Sequence, residues 1–308
     1  MYMRYNSPHF LESGATTIEV RSELPTFEDP AQSALACAFI PGLILPEAPP
    51  LGGASRMLDI VRSSEPKIEI HDTTVELADS WEGHPPISLI HLLYSMGQRD
   101  NLDHGLFSVH SSCVVRDSRG FLLIGHAGSG KTTTALKAVD THGFEWYSGN
   151  KTLLEFRDAP GLQAVAGTPP VTVESSNYYG DGRLFQDNEV AFGDRSLKLL
   201  KDEYRFDSSE VAIKGIIFVR VNSGKFEVKQ VSPELAAINL LPFFYDYFNV
   251  DIHLGSGRLF NPGFVDNEHR EELAKRLAET LPQLSVHQVS GSFEDISSAV
   301  DLIADDEC

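Results

Sequence analysis

One segment of the chain has the residue types and spacing to hold phosphate. Gly125-His126-Ala127-Gly128-Ser129-Gly130-Lys131-Thr132 fits G-x-x-x-x-G-K-[S/T]. Glycines let such a loop curl until its backbone N–H groups point at phosphate oxygens. A helix that begins at the loop adds the positive end of its dipole. In this pattern Lys131 sits on the β- and γ-phosphates and Thr132 offers its hydroxyl to Mg²⁺, with the cradle running from Gly125 through Thr133. His126 falls where the motif takes any residue. The chemistry these residues point to is binding of ATP or another nucleoside triphosphate with Mg²⁺.

A phosphate loop needs a strand before it and a helix after it. Phe121 to Ile124 (FLLI) follows the turn DSRG and reads as a short apolar strand, and Lys131 to Thr141 has helical patterning. Leu106 to Val115, Phe144 to Tyr147, Lys151 to Phe156 and Ala212 to Val221 read as further strands. Ile87 to Met96, Ser232 to Phe248, Asn267 to Leu281 and Ser292 to Ala304 read as helices, the last capped by Ser292 with Asp295. Lys67 to Leu77 alternates as a strand or hairpin. Ile40 to Gly53 is Pro- and Gly-rich loop, and Gly167 to Asp194 is irregular and turn-rich, a candidate lid or acceptor loop. Strands alternating with helices make the fold class α/β.

Phosphate-loop proteins usually hold Mg²⁺ with an acid at the end of a second apolar strand. Here the best strand, GIIFVRVNSG, ends in Arg220, Val221 and Asn222. Upstream, His110 lies in a strand 15 positions before Gly125. Downstream the chain runs GFLLIGHAGSGKTTTALKAV and then GFEWYSGNKTLLEF. From Leu106 to Phe156 this order resembles the HPr kinase/phosphorylase-like family, whose nucleotide core is related to phosphoenolpyruvate carboxykinase.

The resemblance implies a carboxykinase-like P-loop core of mixed sheet and helices over residues 86–308, with a smaller N-terminal lobe over 1–85. It implies an ATP- and Mg²⁺-dependent kinase. The γ-phosphoryl group would pass to a hydroxyl of a small molecule or to a Ser of a peptide or small protein. It places His110 beside the transferred group, where a side chain titrating near neutral pH would accept a proton or stabilise charge. Family members are often oligomers, so a homo-oligomer is expected.

Where the family carries Asp-Asp, this chain has Ser148-Gly149-Asn150-Lys151. Asn150 can offer a carbonyl oxygen to a hard cation but cannot take a proton, and Gly149 can do neither. The base comes from another segment, or transfer proceeds without a strong base because its transition state is loose, or the chain is a non-catalytic nucleotide-binding regulator. An acceptor-independent NTPase is the other alternative. Lys151 suggests a locally anion-binding element.

Gly180-Asp181-Gly182-Arg183-Leu184-Phe185 and Gly255-Ser256-Gly257-Arg258-Leu259-Phe260 share G-x-G-R-L-F. Each reads as a tight turn delivering an arginine, a side chain suited to bidentate capture of phosphate or carboxylate. Arg183 and Arg258 are therefore candidate substrate-binding residues. The alternative is a pair of scaffold turns with solvated arginines and buried Leu-Phe pairs.

Composition bounds these readings. The chain has 308 residues, 42% of them apolar, with 25 basic and 44 acidic side chains for a net charge of −19. A surface this acidic repels nucleic acid and anionic lipid, so neither is an expected partner. No apolar run approaches the length of a membrane span. Three cysteines without metal-ligand spacing, and an opening MYMRYNSPHFLESGATTIEV without an apolar h-region, point to the cytoplasm.

Overall fold

The computed structural model describes residues 8–26, 30–46, 50–81, 87–157, 161–174, 183–192, 195–208, 210–222, 224–245, 252–253, 259–260 and 267–306. Among them the chain begins with β1 (His9–Ser13) and β2 (Thr16–Ser22), then α1 (Pro30–Phe39), β3 (Arg56–Arg62), β4 (Lys67–His71) and β5 (Thr74–Asp79). These strands form one sheet in the order β1-β2-β3-β5-β4, with β2, β3 and β5 mutually parallel. Strand β2 alternates buried and half-buried residues, and its buried Ile18 and Val20 join Leu58, Ile60, Val75 and Leu77 on one face. That face is covered by α1 and by α2 (Ile87–Asp103), through Leu89, Ile90, Leu93 and Met96.

The second sheet holds the phosphate loop. It is built from β6 (Leu106–Arg116), β7 (Arg119–Ile124), β8 (Glu145–Ser148), β9 (Lys151–Arg157), β10 (Gly161–Gly167), β14 (Val211–Val221), β15 (Glu227–Gln230) and β18 (Ser285–Gly291). The order is β10-β9-β6-β7-β14-β18-β15, with β8 beside β6 and β10 also pairing β14. Strands β7, β14 and β18 are parallel, so their C-terminal ends lie together.

This sheet is buried on both faces, which explains the unbroken apolar run of β7. Phe121 and Leu123 face α3 (Lys131–His142) and α6 (Phe293–Asp306), through Ala135, Leu136, Ile296 and Val300. Leu122 and Ile124 face α4 (Pro233–Tyr245) and α5 (Asn267–Thr280), through Leu240, Phe244, Leu273 and Leu277. The three layers are helices, mixed sheet and helices: an α/β architecture. Cys113 is fully buried in β6, where burial pushes its thiol pKa up and makes it inert as a nucleophile.

Most expected elements are present with small boundary shifts. The stretch from Gly167 to Asp194 differs. It contains β11 (Val171–Glu174) and β12 (Phe185–Phe192), which pair either side of β13 (Arg195–Leu200) in a small antiparallel sheet. Glycines and polar residues between short runs hid these strands, whose stability comes from pairing and not from local pattern. Strand β18 carries no strong apolar run (SVHQVSG) and was also not expected; its place beside β14 is a tertiary outcome. A two-stranded pair, β16 (Ile252–His253) with β17 (Leu259–Phe260), completes the described strands. Among the described residues no helix is long and apolar enough to cross a membrane.

Candidate functional site

The phosphate-loop residues sit where the sequence placed them: β7 ends at Ile124, the loop spans Gly125 to Gly130, and α3 starts at Lys131. Gly128 and Gly130 hold φ of 76° and 95°, the left-handed region that side-chain-bearing residues rarely adopt. Ser129 N–H donates to His126 O at 3.0 Å, and Val221 N–H donates to Ser129 O at 3.0 Å. The second bond ties the loop to the end of the neighbouring parallel strand. Ser129 Oγ is buried without a hydrogen-bond partner, a donor shut inside the loop. Ala127 and Gly128 are exposed, Thr132 and Thr133 half-buried. His126 is exposed and packs its ring against Phe243 at 5.0 Å, a contact that gives it a structural use outside the motif.

Gly130 has no room for a side chain. A Cβ there would overlap Val221 Cγ2 and lie 3.0 Å from Phe293 Cε1. Gly128 has the same type of backbone but nothing within 4 Å of its Cβ position. Gly130→Ala is therefore expected to weaken nucleotide binding tenfold or more and to lower stability by roughly 1–3 kcal/mol. Gly128→Ala, which adds backbone strain alone, should do distinctly less. Nucleotide titration with thermal denaturation of both variants checks this, and equal losses would remove the contact argument.

Lys131 is 6% exposed, and its Nζ donates to Gly125 O at 2.6 Å and His126 O at 3.2 Å. Loss of hydration lowers its pKa to about 8. The ammonium is thus held inside the loop, desolvated, at the positive end of α3.

The segment Ser148 to Lys151 turns from β8 into β9, and β9 pairs β6 with His110 opposite Lys151. Thr168, fully buried, organises the turn. Its Oγ1 accepts from Asn150 N–H at 2.9 Å and Lys151 N–H at 3.0 Å, and its carbonyl accepts from Gly149 N–H at 2.9 Å. Sequence reasoning missed Thr168 because nothing in GTPP marks it. A Cβ at Gly149 would lie 2.7 Å from Pro170 O and 2.9 Å from Trp146 Cζ2. Any side chain at this position is sterically excluded, so packing keeps a carboxylate out of this turn.

Two expectations change here. His110 does not titrate near neutral pH. Burial, followed by the charges of Lys131 and Lys151, lowers its pKa to about 3. Its Nδ1 lies 2.9 Å from Asn150 O, an acceptor, so Nδ1 carries the proton and Nε2 keeps the lone pair. His110 is a neutral hydrogen-bonding group at physiological pH. Lys151, in turn, is 1% exposed and is directed at the N-terminal helices. Its Nζ donates to Phe39 O at 3.1 Å and lies 3.6 Å from the Tyr94 ring centre, which gives it a packing role. Asn150 Nδ2 donates to Ala38 O at 2.9 Å, so its amide fastens α1 to the second sheet.

The paired turns divide. Arg183 donates through Nε to Asp140 on α3 at 2.7 Å. Asp140 is nine residues from Lys131 along one helix, or about 13 Å. Arg183 is therefore away from the phosphate loop, an exposed partner of a helix carboxylate, while Leu184 and Phe185 are buried in the core. That is the scaffold reading. Arg258 lies outside the described residues.

At the tip of β14, Asn222 Oδ1 accepts from Gly224 N–H at 2.8 Å in a local turn. The carboxylate of Asp295 accepts from Ser292 N–H at 3.1 Å and Oγ at 2.8 Å, capping α6. Its role is structural.

No protein-family profile and no curated protein sequence matches this chain. Among solved structures, the Hpr(Ser) kinase/phosphatase from Coxiella burnetii aligns with 65% of this chain and 88% of its own, at 9% identity and a TM-score of 0.30. A likeness of that size fixes neither the detailed fold nor an activity, and the functional reading rests on the loop and its surroundings.

Proposed function

We propose that this chain binds a nucleoside triphosphate, ATP before others, at Gly125–Thr133 and transfers its γ-phosphoryl group to a hydroxyl. The acceptor class is a small molecule or a Ser of a peptide or small protein. The observation that carries the reading is the loop itself: glycines with positive φ between the end of an inner parallel strand and a helix N-terminus, with a desolvated Lys131 ammonium inside. On this reading residues 86–308 are the carboxykinase-like core and 1–85 a smaller lobe.

The fit to phosphate rests on the glycine conformations of the loop, the N-terminus of α3 and the buried Lys131 cation. The fit to Mg²⁺ rests on the Thr132 hydroxyl. When bound, the metal would neutralise charge on the β- and γ-phosphates. Lys131 binds and orients those phosphates. His110, neutral and hydrogen-bonded to Asn150, positions this turn and supplies no strong base. A strong base is not required in a loose transition state.

A second reading has its own support. Gly149 admits no side chain and Asn150 is bonded to Ala38 O, so this turn presents no acid to an acceptor. A non-catalytic nucleotide-binding regulator would share that feature. The deciding experiment is an ATP titration with Mg²⁺ followed by ATP consumption with and without pooled hydroxyl acceptors. Saturable binding with acceptor-dependent turnover is expected. Binding without turnover under any condition would select the regulator, and equal turnover without acceptor an NTPase.

A further inference from the structure

We propose that the β4–β5 hairpin carries a transition-metal site of class Zn²⁺, formed by Glu69, His71 and Glu76. One ligand atom from each of these side chains falls within 4.8 Å of the others. The hairpin geometry brings this about. Glu69 stands directly across from Glu76 in the antiparallel ladder. His71 is two positions along from Glu69 and therefore on the same face. Ligand atoms of a tetrahedral Zn²⁺ centre, bonded at about 2.0–2.2 Å, lie nearer together than this. The side chains of His71 and Glu76 are exposed and Glu69 is half-buried, so small rotations close the difference.

The neighbouring strand supplies an independent argument for a cation. Asp59 on β3 is in register with Glu76 on β5, and Glu76 is in register with Glu69 on β4. Three carboxylates thus stand side by side across adjacent strands. Like charges directly opposite one another destabilise a sheet. Asp59 Oδ1 is shut off from solvent and has no hydrogen-bond partner. At the other end of the row, Lys67 pairs with Glu69. The middle of the row, at Glu76, lacks a described cation partner. A divalent ion held by Glu69, Glu76 and the His71 imidazole would fill that place.

The donor set chooses the metal. One imidazole and two carboxylates exceed what Mg²⁺ or Ca²⁺ selects and suit Zn²⁺, with Mn²⁺ weaker in the usual order of affinities. Such a site would pin the edge hairpin of the N-terminal sheet, about which the phosphate-loop reading says nothing. It would also leave coordination positions for water.

The test is titration of the full-length, chelator-treated protein with Zn²⁺, against a chromophoric chelator, with Mn²⁺ and Mg²⁺ in parallel. Zn²⁺ is expected to bind at micromolar concentration, more tightly than Mn²⁺, with Mg²⁺ not competing. His71→Ala and Glu76→Gln should each weaken Zn²⁺ binding at least tenfold, while His104→Ala leaves it unchanged. Lys67→Ala should strengthen it, because Glu69 loses a competing cation. A variant that merely disturbed folding could not produce that gain. Zn²⁺ affinity unaltered by both His71→Ala and Glu76→Gln would overturn the proposal, as would weakening by Lys67→Ala or no micromolar binding in the unmutated protein.

Discussion

Lys131→Ala is expected to reduce phosphoryl transfer about a hundredfold or more, the scale of losing a principal electrostatic stabiliser in a water-excluded site. The ammonium is desolvated and surrounded by loop carbonyls, so its attraction for phosphate is screened less than that of a surface lysine. With a chain charge of −19, nothing else identified in the loop offsets the repulsion of a polyanion as directly. The same residue gives a pH signature. Its pKa in the free protein is lowered to about 8, so above that pH the lysine must gain a proton when it meets phosphate. Nucleotide affinity should therefore fall as pH rises through 8, approaching tenfold per unit, and that slope should vanish in Lys131→Ala. Steady-state kinetics, isothermal titration between pH 7 and 9 and a melting curve to verify folding would check this. Near-normal turnover by a folded Lys131→Ala protein would remove the phosphate-loop reading.

The second large effect is on stability. Burial lowers the Lys151 pKa to about 7, and burial first and Lys151 second lower that of His91 to about 4. His110 lies at about 3. For each group the folded protein sheds its proton more readily than the unfolded chain. Folding is then favoured by rising pH and weakened by acid. Below the unfolded histidine value, near 6.5, two imidazoles resist protonation in the fold, a loss of up to roughly 2.7 kcal/mol per pH unit. Between about 7 and 10.5, Lys151 adds a gain of up to roughly 1.4 kcal/mol per unit.

Lys151→Met keeps the length of the side chain against Tyr94 and removes the desolvated charge. It should stabilise the protein at pH 6–7 by about 1–4 kcal/mol, the range for replacing buried charge with a packed apolar group. The rise in stability between pH 7 and 8 should flatten in that variant, leaving above pH 8 the share that Lys131 contributes. Denaturant melts across pH 5–9 measure both. A destabilised Lys151→Met protein would mean that the carbonyl bond to Phe39 and the ring contact outweigh the desolvation, and an unchanged pH slope would mean that the fold does not lower the Lys151 pKa.

The stretch from β6 to β9 was legible because its signals are local. A glycine-rich loop, an apolar run bounded by a turn and a helix with cap residues state their structure within a few neighbours. The strands β10 to β13 and β18 were not, since their short or polar segments are held by partners distant in sequence.

The candidate site divides along the same line. Sequence alone determined the phosphate loop, since the need for glycine at a positive φ and for lysine after it is written in consecutive residues. Only the tertiary structure decided what surrounds it. It showed that Gly149 faces Trp146 and Pro170 with no space for an acid, and that Arg183 meets Asp140 away from the loop. It showed too that Asn150 and Lys151 reach back to α1 and that burial, reinforced by two lysine charges, keeps His110 neutral. These properties depend on which groups are brought within a few ångströms and how much water is left between them. Hydration and Coulomb energies depend on that distance and burial, which no run of neighbouring residues encodes.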